Sequence, residues 1–222
     1  MESLPQCVVF DFDGTLVDSN ALKRAAFFEV LAGSVASADQ VAAVLADLPR
    51  ADRLGIIEET LRRVRSGPPD SAVIQELATS YNHICEAGAV ACAEMPGATD
   101  LLRTLGRTVP LHLNSATPEE PLLRIIAGRR WTEFFASICG RPTSKLDNLR
   151  RISRATGAPA ERMVLVGDQD EDARAAREFG CPFVAVGSFA RADWPSVPHL
   201  ASLAALPNWL ADGLWRSGPF AA

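Results

Sequence analysis

Residues 8–18 read Val8-Val9-Phe10-Asp11-Phe12-Asp13-Gly14-Thr15-Leu16-Val17-Asp18. An apolar run without strict alternation suits a strand buried on both faces of a parallel sheet. It ends in two carboxylates, two residues apart. Open α/β sheets bind ligands at the carboxyl ends of their strands, so the run delivers Asp11 and Asp13 to the place where a site belongs. Gly14 then permits a sharp backbone turn. An acidic turn is the plainer reading, and DxDGT after a buried strand weighs against it.

The rest of the chain repeats that strand rhythm. Further apolar runs lie at Val109 to Asn114, Ala136 to Cys139, Met163 to Val166 and Pro182 to Val186. Helical patterns fall between them. One runs from Ala98 to Leu105. A second opens at Thr117-Pro118-Glu119-Glu120, with cap residue, proline and acidic first turn in the expected order, and reaches about Ala127. A third runs from Ser144 to Thr156 and closes at Gly157; a fourth runs from Asp170 to Phe179 and closes at Gly180. Alternating strands and helices predict a doubly wound α/β fold with a parallel sheet. From about Asn20 to Ala91 the rhythm stops. Four helical patterns occur there without a strand, over 21–32, 38–46, 51–65 and 71–88, which predicts a small all-helical insert. The Trp- and Pro-rich C-terminal stretch is expected to wrap the core and end in a loose tail over 218–222.

The second acidic segment is Gly167-Asp168-Gln169-Asp170-Glu171-Asp172. Helix capping and the macrodipole explain one or two acids at a helix start. Four acids in five residues exceed that need. Asp168 and Asp172, four apart, can share one side of the first turn. If the two strand ends are neighbours, their carboxylates form a hard oxygen site suited to Mg²⁺. Ser115 ends the second strand just before a helix start, where a hydroxyl can hold phosphoryl oxygens. Lys145 opens a helix. The chain has 22 basic residues, of which only Lys23 and Lys145 are lysines, so a lysine at that place carries weight.

Composition narrows the function classes. The 222 residues are 48% hydrophobic and 22% charged, ordinary for a globular protein with a sizeable core. A net charge of −5 disfavours a nucleic-acid-binding protein. Five cysteines, an odd number without CxxC spacing, read as reduced thiols of a cytoplasmic protein. No membrane span and no secretory signal are read from the sequence. His83, His112 and His199 lie outside every motif, which disfavours a zinc site. GxSxG, Walker and GxGxxG patterns are absent, disfavouring a serine esterase, a P-loop NTPase and a dinucleotide enzyme.

Taken together, the pieces resemble the haloacid dehalogenase superfamily, in its phosphoglycolate-phosphatase-like branch. Asp11-x-Asp13-Gly14-Thr15, Ser115, Lys145 and Gly167-Asp168-x-x-x-Asp172 are similar to that family's four motifs, in order. The insert resembles its C1 helical cap, and Met95-Pro96-Gly97-Ala98 resembles the return to the core. The resemblance implies a core of residues 1–18 and 94–222 and a cap of 19–93. It implies a Mg²⁺-dependent phosphatase acting on a small phosphorylated metabolite. Asp11 would be the nucleophile that becomes an aspartyl-phosphate, and Asp13 the acid and base. Ser115, Lys145 and Thr15 would hold the phosphate. Asp11, the main-chain carbonyl of Asp13, and Asp168 would bind the metal, with Asp172 ordering its water. Substrate choice would fall to the cap, with Arg50, Arg53, Asp18 and Asn20 as candidate contacts.

Three other readings compete. A dehalogenase on this fold would lack the second acid that Asp13 provides. A sugar phosphomutase keeps both acids, and Thr15 leans toward the phosphatase. A non-catalytic binding protein would not need both acidic motifs intact. The substrate and the oligomeric state are not legible, nor is whether Trp209 and Trp215 face an interface or the core.

Overall fold

Cys7, Val8, Val9 and Phe10 have no exposed surface, and the sheet is assembled around the strand they form. The computed structural model describes residues 4–49, 51–64, 67–187, 189, 191–217 and 220. Arg50, and the 218–222 tail apart from Phe220, lie outside the described residues. In chain order the elements are β1 Cys7–Phe10, α1 Asn20–Leu31, α2 Ala38–Asp47, α3 Arg53–Val64, α4 Ser71–Ala91, α5 Ala98–Leu105, β2 Leu111–Pro118, α6 Glu119–Gly128, β3 Ser137–Arg141, α7 Lys145–Thr156, β4 Met163–Gly167, α8 Asp170–Phe179, β5 Phe183–Val186, β6 His199–Leu200 and α9 Leu206–Ala211. They fall into two compact units. One is Met1–Ser19 with Cys92–Ala222; the other is Asn20–Ala91.

The first unit is a doubly wound α/β layer. Its six strands are parallel, in the order β3-β2-β1-β4-β5-β6. The chain winds one way through β2 and β3, then returns to the other side of β1 with β4. The strand order therefore reverses at β1, and the crevice beyond the carboxyl ends of β1 and β4 is the favoured ligand position in such sheets. Asp11 and Asp168 stand just past those two ends. The strands are held in step by the register Phe10↔Val166 and by the Asp11 N–H, which donates to the Val166 carbonyl at 2.8 Å. Side chains with almost no exposure, among them Val9, Leu165, Ile152 and Phe183, fill one layer of the core. Each contributes roughly 1.5–3 kcal/mol by leaving water.

α7 and α8 stop where local chemistry says they should. Ser144 caps α7 by accepting from the Asp147 N–H at 3.0 Å, and Gly157, at φ +71, ends the helix in the left-handed conformation. Gly180 ends α8 in the same way.

The structure departs from the expected elements at β2 and in the C-terminal stretch, where β6 and α9 form. β2 does not stop at Ser115; it runs on to Pro118 with a register shift between Asn114 and Pro118. Thr117 is therefore strand, not helix cap, and α6 begins at Glu119 with no side-chain cap. The short strand β6 was not read at all, because two half-buried residues carry no period. The C-terminal stretch contributes to the core: Trp209 and Trp215 are both buried.

The second unit is four helices around their own apolar centre, which includes Phe27, Leu31, Val41, Ile57, Leu61 and Tyr81. Phe27 and Tyr81 stack with centroids 4.4 Å apart. Ser37 and Gln40 form a reciprocal capping box at the start of α2. Among the described residues, no helix is long and apolar enough to cross a membrane.

Candidate active site

The loop after β1 is built to present carboxylates. Gly14, at φ +80, donates its N–H to the Val17 carbonyl at 2.8 Å, and Leu16 donates to the Phe12 carbonyl at 2.9 Å. A side chain at position 14 would oppose that left-handed turn. The chain then leaves the unit beside its return. Asp18 donates to the Ala93 carbonyl, and Met95 to the Leu16 carbonyl, both at 2.9 Å.

Asp11, Asp168 and Asp172 are brought together, each offering an oxygen within 4.8 Å of the others, and all three are buried. The Lys145 ammonium, 3% exposed, donates to Asp11 Oδ1 at 2.7 Å and to Asp172 Oδ1 at 2.5 Å. Burial works against the lysine's charge, but the two carboxylates outweigh it and hold its pKa above the ordinary range. For Asp172 burial is the largest influence and pushes the carboxyl up; Lys145 opposes this, while Asp11 and Asp168 add to it. The cluster thus holds three carboxylates against one ammonium, an excess of two negative charges when all are ionised. Buried charges need compensation. A hard divalent cation with oxygen ligands fits both the donor set and the charge.

Each acid of the second segment has its own partner. Asp172 spends Oδ2 on the Gln169 N–H at 3.1 Å, capping α8, and keeps Oδ1 for Lys145. It is a capping residue and a site residue at once. Asp168 accepts from Thr15 Oγ1 at 3.2 Å and from Gln169 Nε2 at 2.7 Å. Asp170 takes the Trp194 indole N–H and pairs with Arg174 at 2.6 Å. Glu171 pairs with Arg141 at 2.5 Å. Only two of the four acids belong to the cluster; the other two fix the start of α8.

The remaining candidates divide. Thr15 has no exposed surface, and its hydroxyl donates to Asp168 Oδ1 at 3.2 Å. Ser115 is buried and accepts from the Thr117 N–H at 3.1 Å, which leaves its own proton to donate. The Asp13 carboxylate lies outside the three-acid cluster and accepts from Ser19 Oγ at 2.5 Å and Thr117 Oγ1 at 2.9 Å. Asp18 and Asn20 are exposed at the crossing between the units. Arg53 opens α3 in the helical unit, with its Nε buried and without an acceptor among the described residues.

Sequence reasoning missed a buried amide pair behind Lys145. Asn114 donates to the Lys145 carbonyl at 2.8 Å and accepts from Asn148 Nδ2 at 3.1 Å. Both asparagines have no exposed surface, so the pair ties β2 to the first turn of α7 and fixes where Lys145 starts. The signal was present as a polar residue inside an apolar strand.

Gly167 shows how tightly the cluster is packed. A Cβ there would lie 2.5 Å from Asp172 Cγ and 2.6 Å from its Oδ2. Gly167→Ala is expected to displace Asp172 and to destabilise the protein by about 1–3 kcal/mol, the usual cost of overpacking. A thermal melt checks this; an unchanged melting temperature would mean that the cluster accepts the methyl without strain.

The sequence pattern of one protein family, the haloacid dehalogenase-like hydrolases, matches residues 5–180. The chain belongs to that family. It is an enzyme, a hydrolase with that family's α/β core. A phosphoglycolate phosphatase of Rhodospirillum rubrum is 27% identical over 233 aligned residues, covering 97% of this chain and 92% of that one. Two solved structures share the fold. CbbY from Rhodobacter sphaeroides, in complex with phosphate, is 22% identical with a TM-score of 0.72, covering 91% of this chain and 96% of that one. A predicted phosphoglycolate phosphatase from Haemophilus somnus is 14% identical with a TM-score of 0.74, over the same shares.

Proposed function

We propose that this hydrolase is a Mg²⁺-dependent phosphatase of a small phosphorylated metabolite, working through an aspartyl-phosphate on Asp11. The observation that carries the reading is the buried cluster of Asp11, Asp168 and Asp172 around Lys145. Asp11, Asp168 and the main-chain carbonyl of Asp13 are the oxygens assigned to Mg²⁺, with Asp172 ordering its water. When bound, the ion neutralises charge on the phosphoryl group and on the carboxylate that approaches it.

The protein's own residues do the rest. An Asp11 carboxylate oxygen attacks phosphorus, and the bond from phosphorus to the ester oxygen breaks. Asp13 gives its proton to the departing alkoxide. In the second step a water gives a proton back to Asp13 while its oxygen attacks the same phosphorus. Inorganic phosphate leaves and the Asp11 carboxylate is restored. Lys145 donates to Asp11 and lowers the repulsion between two anions. Ser115 donates to a phosphoryl oxygen, and Thr15 holds Asp168 in place. The helical unit takes the part of a cap that selects the leaving group, with Arg53 offered to an anionic one.

The relatives bear on the substrate class. One is named a phosphoglycolate phosphatase, and CbbY was solved with phosphate. The test is inorganic phosphate release from phosphoglycolate, sugar phosphates, nucleotides and p-nitrophenyl phosphate, with Mg²⁺ and with EDTA. Mg²⁺-dependent release that EDTA abolishes is expected. Interconversion of sugar phosphates without phosphate release would make the chain a mutase. Binding without turnover would make it a binding protein.

A further inference from the structure

Thr117 breaks a local rule. Its sequence context, Thr117-Pro118-Glu119-Glu120, offers a helix a ready side-chain cap, yet α6 begins without one. The hydroxyl instead reaches across from β2 and donates to Asp13 Oδ2 at 2.9 Å. Places where a strong local preference is overruled are where a functional demand is expected. The same residue's N–H donates to Ser115 Oγ at 3.1 Å, so Thr117 joins Ser115 on β2 to Asp13 in the loop after β1.

Asp13 is held from both sides. Ser19, buried at the end of the loop after β1, donates to Oδ1 at 2.5 Å, while Thr117 donates to Oδ2. The two donors come from chain segments about a hundred residues apart, so neither can follow a rotation of the carboxylate. A carboxylate fixed at one oxygen can still swing about that contact; fixed at both, its plane is set. Proton transfer depends on such placement, because the group must be within hydrogen-bond reach of the ester oxygen in the correct orientation.

We propose that Thr117 is a positioning residue for the reaction: it holds the Asp13 carboxylate in the plane from which a proton reaches the leaving oxygen. This rests on the reading of Asp13 as acid and base. Thr117 touches neither phosphorus nor metal in this role. Its contribution to kcat/KM is therefore felt only where the leaving group needs a proton, because kcat/KM ends at the aspartyl-phosphate and the later water step is shared by every ester.

That dependence separates the role from packing or substrate binding. The experiment compares kcat/KM for phosphoglycolate, an alkyl ester whose leaving oxygen needs a proton, with kcat/KM for p-nitrophenyl phosphate, whose leaving group departs as a stable anion. Thr117→Val keeps the side chain's shape and removes the donor. It is expected to lower the phosphoglycolate value by about tenfold or more and to leave the p-nitrophenyl phosphate value within about twofold, the size of a charge-assisted hydrogen bond acting on an acid catalyst. Thr117→Ser keeps the donor and is expected to restore selectivity. Thr117→Val placed on Asp13→Asn should add no further loss, because the bond acts through the group already removed.

An equal loss on both esters would overturn the proposal, by showing that Thr117 contacts the phosphate or supports the fold. No loss on either would overturn it as well. If Asp13→Asn itself spares the alkyl ester, the acid–base reading of Asp13 falls, and the role of Thr117 falls with it. If Asp13→Asn is selective and Thr117→Val is not, the role of Thr117 falls alone.

Discussion

Asp11→Asn is expected to remove turnover by at least about 10⁴-fold, some 5.5 kcal/mol of transition-state stabilisation. The amide has nearly the carboxylate's shape but cannot attack phosphorus. Covalent catalysis then has no nucleophile, and no other carboxylate replaces it: Asp168 and Asp172 are tied by Thr15, Gln169 and Lys145. The fold should survive, because the substitution removes one of three crowded negative charges while keeping an oxygen for Lys145 to donate to. Steady-state phosphate release, alongside a thermal melt, checks both halves. Residual activity within tenfold of the unaltered enzyme would assign the attack to another group.

Lys145→Met has the second largest expected effect, and it reaches stability as well as rate. The ammonium is 3% exposed and donates to Asp11 and Asp172. Its loss leaves the three buried carboxylates of the cluster without that cation. Removing one partner of a buried pair typically costs about 3–5 kcal/mol. Turnover should fall by about 10²–10³-fold, the usual loss for one preorganised electrostatic group. The melting temperature of the metal-free protein should drop, and added Mg²⁺ should recover part of it, because the ion compensates the same charges. Lys145→Arg is not expected to rescue, since the planar guanidinium cannot occupy the space of a compact ammonium between two carboxylates. A metal-free melting temperature equal to that of the unaltered protein would show that Lys145 compensates nothing.

Much of this architecture is legible along the chain because several levels agree. β1 shows as an apolar run, and its end shows as a glycine turn carrying acids. α5 and α8 lie at the expected residues, bounded by glycines with left-handed φ at Gly97 and Gly180. The cluster of Asp11, Asp168, Asp172 and Lys145 follows from strand ends that a doubly wound sheet must bring together. What failed to show depends on contacts distant in sequence. Thr117 has the local signature of a cap, and only the Asp13 carboxylate, supplied by the loop after β1, explains why it is not one. The bond from Thr15 to Asp168 joins residues 153 apart and leaves no local mark. Asn114 and Asn148 are anonymous until β2 and α7 are adjacent. The acids Asp170 and Glu171 stand among the site residues in the sequence, and their partners Trp194, Arg174 and Arg141 show only in the fold.

The central claim is a covalent phosphoryl group on Asp11, and it can be observed directly. Turnover of p-nitrophenyl phosphate with Mg²⁺ is stopped by acid, which preserves an acyl phosphate, and borohydride then reduces that acyl phosphate to an alcohol. Peptide mass spectrometry should find homoserine at position 11, absent when EDTA replaces Mg²⁺ or when substrate is omitted. Reduction at another residue, or phosphate release with no trapped residue under conditions that trap a control acyl phosphate, would contradict the account.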